Sequence, residues 1–163
     1  MNGSAPAASI DALANGFAAD LFTTDPEWME SYARDRTESY YGLPFAVARP
    51  RTVDEVAAVV RRCMDLNLGI VPQGGLTGLI GAAVSDANEP EVVMLLDRMN
   101  AVRSVDPAGY VMVVEAGCIL EVAKQAAEAE NCLLPITFGS RVRRGSAAMS
   151  PPMRGASMSC ATA

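Results

Sequence analysis

The chain has no histidine and only one lysine, Lys124, in 163 residues. That removes the imidazole as metal ligand and as covalent anchor for a cofactor. Cysteine is scarce as well. Cys63, Cys118, Cys132 and Cys160 never fall at C-x-x-C spacing, so a structural zinc framework is excluded. Each of the four reads as a small buried hydrophobe rather than a nucleophile. Basic residues are outnumbered, 13 Lys and Arg against 19 Asp and Glu, for a net charge of −6. This is the wrong sign for a surface that tracks nucleic-acid phosphates. No apolar run approaches the roughly 20 residues of a membrane span. The stretch from Met1 to Asn15 lacks the basic start and apolar core of a secretory leader, and it is expected to be frayed. A cytoplasmic location is the resulting expectation. No internal repeat is present.

What the chain does have is glycine, concentrated in one place. The string Pro72-Gln73-Gly74-Gly75-Leu76-Thr77-Gly78-Leu79-Ile80-Gly81 follows the short apolar run Leu68-Gly69-Ile70-Val71. A backbone this bare approaches a ligand closely and turns its N–H groups toward negative oxygens, which is what holding a diphosphate requires. Three nucleotide loops compete for it, beside the plain reading of a glycine turn between a strand and a helix. A Walker A loop needs a Lys that reaches the outer phosphates, and the only Lys is far away at position 124. A dinucleotide fingerprint needs G-x-G-x-x-G opening a helix, and the spacing here does not match. The third is a flavin loop of the form PxGGxTGLxG, which the string matches.

The flanks are patterned. Thr52 and Glu55 form an S/T-x-x-E box, which predicts a helix from about Val53 with Val53, Val56, Ala57, Val60 and Met64 on its apolar face. Asn67 and Gly69 end that helix and Ile70-Val71 begin a strand. Val92 to Leu96 reads as a buried strand, Asp97 to Asn100 as a turn, and Tyr110 to Val114 as a strand ending at Glu115-Ala116-Gly117. A helix from Ile119 to about Glu130 is expected next, with Ile119, Val122, Ala123, Ala126 and Ala127 on one face. Upstream, Asp25-Pro26 is a helix start. Tyr40, Tyr41 and Phe45 read as packing residues before stacking partners for a ring.

The residues PQGGLTGLIG resemble the first FAD-binding loop of the PCMH-type flavoproteins, the vanillyl-alcohol oxidase superfamily. The order of elements over roughly residues 30 to 140 resembles the N-terminal FAD domain of the D-2-hydroxyacid dehydrogenase branch, which includes D-lactate, D-2-hydroxyglutarate and glycolate-oxidising enzymes. The resemblance implies an α+β fold, the incomplete first subdomain of the PCMH-type FAD-binding domain, over residues 31–140. An N-terminal segment, 1–30, precedes it and a disordered tail, 141–163, follows. It also implies noncovalent FAD, held by Gln73, Gly74, Gly75, Leu76, Thr77, Gly78 and Leu79, with the stretch from Pro135 to Ser140 entering the second flavin loop. Glu115-Ala116-Gly117 either lines the adenine side or is simply a strand end with a turn. The implied activity is oxidation of a small-molecule D-2-hydroxy acid to a 2-oxo acid by hydride transfer to flavin, with the electron acceptor unspecified. The alternative is a truncated, non-catalytic stub with weak nucleotide binding or none.

The last 23 residues change character. Positions 141–163 carry four Arg and no acidic residue, whereas all 19 acidic residues precede them. They show neither helical nor strand periodicity and read as a basic disordered tail. The genetic code offers a sharper reading. With permitted synonymous codons and one G restored in front, the shifted frame reads EGSARLGGNVSTNAGGINVLRYG, similar to the second flavin motif of the same family. The ATG codons of Met149, Met153 and Met158 are invariant, and each becomes a possible Asn codon where the family pattern has Asn. A single-base deletion near codon 141 is the expectation. Resequencing the gene there is expected to show one additional base and a frame that stays open downstream. A confirmed frame, shared by relatives with intact genes, overturns it.

Overall fold

The computed structural model describes residues 9–86 and 88–136, together with the backbone of Ser159 and Cys160. The chain divides into two units: one made of the residues up to Gln73 with Gly78–Leu96, the other of Gly74–Thr77 with the residues from Asp97 onward.

In the first unit, α1 (Ile10–Ala14), β1 (Phe22–Thr23), α2 (Pro26–Ser31), β2 (Ala46–Ala48), α3 (Val53–Asp65), β3 (Gly69–Gln73) and β4 (Glu91–Leu95) follow one another. α1 lies within the segment expected to be frayed. Ser9 caps it by accepting from the Ala12 N–H at 3.2 Å, and Leu13 is fully buried. α2 starts as its sequence predicts, with Asp25 as N-cap and Pro26 in the first turn. The sheet order is β1-β2-β4-β3. β1 runs antiparallel to β2, with Phe22 opposite Ala48. β2, β4 and β3 are parallel, and Val92 of β4 lies between Ala46 and Ile70. Ala46, Val47, Ala48, Val92 and Val93 have no exposed surface, as befits parallel strands covered on both faces. Burying each Val contributes about 1.5–3 kcal/mol.

α3 begins where the sequence places it. Thr52 Oγ1 accepts from the Glu55 N–H at 3.1 Å, and the Glu55 carboxylate accepts from the Arg51 N–H at 2.6 Å. It ends in a Schellman arrangement. Asn67 sits at φ 52°, its N–H donates to Met64 O at 3.1 Å, and the Leu68 N–H donates to Cys63 O at 2.8 Å. The face that α3 buries differs from the expected one. Val59 and Cys63 are buried, while Val53 and Met64 are exposed. Apolar residues cover more than one side of this helix, so two overlapping stripes satisfy the same periodicity, and contact with the sheet selects between them.

In the second unit, β5 (Val102–Asp106), β6 (Val111–Val114), α4 (Leu120–Ala129), β7 (Cys132–Leu133) and β8 (Ser159–Cys160) follow in order. β5 and β6 form an antiparallel hairpin with an irregularity between Val102 and Ser104. Its turn is closed by Asp106 Oδ1, which accepts from the N–H groups of Ala108 at 3.1 Å and Gly109 at 3.0 Å. β7 pairs antiparallel with β8. Met112, Cys118, Ala123, Ala127, Cys132 and Leu134 form the core. Val122, expected on the buried face of α4, is exposed; the small Ala123 and Ala127 make the close contact instead. Cys63 and Cys118 are free and buried, whereas Cys132 is disulfide-bonded. Burial pushes the Cys63 and Cys118 thiols up, away from the reactive thiolate, in keeping with their reading as apolar packing. No helix among the described residues is long and apolar enough to cross a membrane, and no cluster of three or more potential metal-binding side chains occurs among them.

Glu115 fastens the open end of the hairpin. Its N–H donates to Ala101 O at 2.9 Å, its carboxylate accepts from the Ala101 N–H at 2.7 Å, and it pairs with Arg103. The Ala101 N–H is the largest influence holding this carboxyl below the ordinary glutamate range, with Arg103 adding to it. A carboxyl lowered by folding gives stability that is fully present above its unfolded value of about 4.3 and is lost as the pH falls through the lower folded value. Glu115→Gln is expected to cost about 1 kcal/mol at pH 7 and to flatten the acid end of the stability curve. Urea unfolding at pH 7 and below pH 4 checks this; an unchanged midpoint at pH 7 contradicts it.

Candidate functional site

β3 ends at Gln73 and its parallel neighbour β4 begins at Glu91. A parallel pair needs a long crossover, most often a helix. Here the described residues of 74–90 contain no helix. The absence of a helix after the glycines also separates this loop from Walker A and dinucleotide loops, whose phosphates rest on a helix N-terminus. Among the described residues, the N–H groups from Gly74 through Ile80 meet no acceptor, and the Thr77 hydroxyl has no partner. Gly74, Gly75, Leu76 and Thr77 are half-buried, and Gly78, Leu79 and Ile80 are exposed. Leu76 is held at φ 50°, a left-handed conformation that costs a non-glycine residue about 1–2 kcal/mol.

Two glycines here have opposite explanations. Gly81 sits at φ 71°, and a Cβ on it would meet the Tyr40 ring at 2.6 Å. The fold itself requires that glycine. At Gly78 a Cβ would meet nothing within 4 Å, and the backbone is not left-handed. Nothing among the described residues requires a glycine there.

Gln73 lies on the core side of the loop. Its side chain is buried, and Nε2 donates to Tyr32 O at 3.0 Å and to Ala83 O at 2.8 Å. Oε1 is buried without a partner. Tyr40 and Tyr41 are each nearly half exposed, and both are held by hydrogen bonds. Asp35 accepts from the Thr37 hydroxyl at 2.7 Å and from the Tyr40 N–H at 3.4 Å, which fixes the Tyr40 turn. Tyr41 donates to Glu30 Oε2 at 3.0 Å beneath the Arg34 guanidinium, 4.5 Å from the ring centre. With Gly81, Val84 and Ser85 these tyrosines line a cavity of about 330 Å³. Glu115-Ala116-Gly117 is engaged in closing its hairpin, and the Gly117 N–H donates to Met99 O at 2.8 Å. Ser140 and the tail from 141 to 158 lie outside the described residues. The sequence reading singled out the loop but missed that Gln73 is part of the core. The signal for that was its place at the end of a strand whose alternate residue, Val71, is buried.

Among the described residues, the loop presents N–H groups without acceptors, a Thr77 hydroxyl without a partner, and open space over Gly78. Residues 44–150 match the FAD binding domain family. The D-2-hydroxyglutarate dehydrogenase of Xanthomonas citri pv. viticola is 37% identical over 132 residues, covering 81% of this chain and 28% of that protein. The mitochondrial D-2-hydroxyglutarate dehydrogenase of Bos taurus is 35% identical over 118 residues, covering 72% of this chain and 21% of that protein. The chain thus spans about a quarter of the length of these relatives. Among solved structures, an alkyldihydroxyacetonephosphate synthase superposes with a TM-score of 0.68 at 20% identity, over 82% of this chain and 27% of that one, a likeness of fold. By the family match, the fold and the loop, the chain belongs to the FAD binding domain family, with an α+β, PCMH-type architecture of which it covers a part.

Proposed function

We propose that this chain supplies the diphosphate-holding half of the FAD site of an oxidoreductase that converts a D-2-hydroxy acid to a 2-oxo acid. The observation that carries this is the run of N–H groups from Gly74 through Ile80 with no acceptor among the described residues, in a loop whose Gly78 the fold does not need. Of the residues expected to contact FAD, Gly74, Gly75, Leu76, Thr77, Gly78 and Leu79 face it in this reading, while Gln73, buried on the core side, supports the loop from behind. The backbone N–H groups hold the diphosphate and Thr77 Oγ1 adds a hydrogen bond. Ser140 belongs to the second flavin loop in this reading. In this reading this chain makes no covalent link to the cofactor: it offers no histidine, and Cys63 and Cys118 are buried with raised thiol pKa values. When bound, the flavin accepts the hydride that the hydroxy acid gives up in becoming the oxo acid. The names of the relatives support the substrate class. No residue described here is assigned to the acid itself, so this chain's part is to bind and orient the cofactor.

Titration of FAD into the 163-residue chain, read by flavin fluorescence, tests the proposal. The unaltered chain is expected to bind saturably. Gly78→Ala is expected to leave the melting temperature nearly unchanged and to weaken binding by about tenfold. Gly81→Ala is the contrasting case and is expected to destabilise the fold by about 1–3 kcal/mol. Absence of saturable binding by the unaltered chain, or equal binding by Gly78→Ala, overturns the proposal.

A further inference from the structure

The carboxamide of Gln73 joins three separated stretches of the first unit. The residue ends β3, Tyr32 caps the end of α2, and Ala83 lies beyond the glycine segment. Because Nε2 gives both of its hydrogens to carbonyls, the amide orientation is fixed, and Oε1 is left buried with no partner. An unpaired buried acceptor is unfavourable, and an apolar side chain of the same length would avoid it. What the carboxamide provides is a tie between the start of the crossover and a point ten residues on. Between those two points lie the N–H groups of Gly74 through Ile80, which meet no acceptor among the described residues, and the left-handed Leu76. Such a stretch has almost no internal bonds to keep its shape.

We propose that Gln73 is the positioning residue of the glycine loop: its side-chain nitrogen pins Ala83 and Tyr32 to the end of β3, so that the loop N–H groups are pre-set before a ligand arrives. Pre-setting matters because any ordering of the loop on binding is subtracted from affinity. This inference rests on the proposed FAD role for its binding readout and stands apart from it for its structural one.

Hydrogen–deuterium exchange on the cofactor-free chain supplies the structural readout. Gln73→Met is expected to raise exchange of the hydrogen-bonded Val84 N–H in this segment by about tenfold, since two buried carbonyls lose their donor, while α4 is unaffected. It is also expected to weaken FAD binding by about tenfold. Val93→Ala, a core truncation in β4, serves as control; it is expected to lower the melting temperature without changing the FAD affinity of the folded protein. Should Gln73→Met fail to fold, NMR of the unaltered chain decides, with the Gln73 side-chain amide protons expected to exchange as slowly as core amides. Val84 exchange unchanged by Gln73→Met overturns the inference, as do fast-exchanging Gln73 amide protons. If the unaltered chain does not bind FAD while Gln73→Met still loosens the loop, the functional reading falls and the positioning role stands.

Discussion

Two parallel strands side by side cannot be joined by a tight turn, and the rest of the first unit depends on how this chain meets that constraint. The β3–β4 pair is fixed at both ends. The Gly69 N–H donates to Pro90 O at 3.1 Å where the strands start, and the Leu96 N–H donates to Gln73 O at 3.3 Å where they finish. The chain that leaves Gln73 must therefore travel back along the sheet to reach Glu91. A helix would satisfy its own backbone on the way. This segment does not, so its polar groups are settled piecemeal: Ala83 O by Gln73, the Val84 N–H by Gly81 O at 3.0 Å, the Asp86 N–H by the Glu91 carboxylate at 2.6 Å. The part left unsettled is the glycine-rich first half.

Three features that disfavour the folded chain lie at or beside that half. Leu76 occupies a left-handed conformation, Gln73 Oε1 is buried and unpaired, and a run of N–H groups meets no acceptor among the described residues. Elsewhere local preferences and tertiary structure agree: caps at both ends of α3, a hydrogen-bonded hairpin turn at Asp106, buried aliphatic strands in the sheet.

Much of this was legible in the sequence wherever a short-range rule decides the outcome. Thr52 and Glu55 marked the start of α3, Asn67 its end, and Asp25-Pro26 the start of α2, because caps involve residues only a few positions apart. The strand at Glu91–Leu95 and the helix at Leu120–Ala129 were visible within a residue or so at each end. Readings failed where a distant partner decides. The buried side of α3 is chosen by the sheet, so Val59 and Cys63 replaced Val53 and Met64. β5, Val102–Asp106, was missed because Arg103, Ser104 and Asp106 break the aliphatic signal, and it is a strand only through pairing with β6. β1 and β2 are too short for a periodicity to show. At the site, the glycine string was plain, but its sequence does not distinguish Gly81, which packs on Tyr40, from Gly78, which packs on nothing.

The charge of the chain sets the character of the loop. With a net charge of −6 and its single Lys at position 124, the chain would, under the proposed function, offer a diphosphate neutral donors at this loop rather than a lysine. Neutral N–H groups attract an anion weakly in bulk water and more strongly where the surroundings are partly dry and the dipoles already point the right way. Half-burial of Gly74 to Thr77 meets the first condition. The second cannot come from the glycines, which are the residues least able to hold a shape by themselves. It has to come from what fixes the ends of the loop: β3 paired to β4 on one side, and on the other the Gln73 amide, which reaches past the glycines to hold Ala83 in place. A loop bare enough to bind needs a buried side chain to keep it ready.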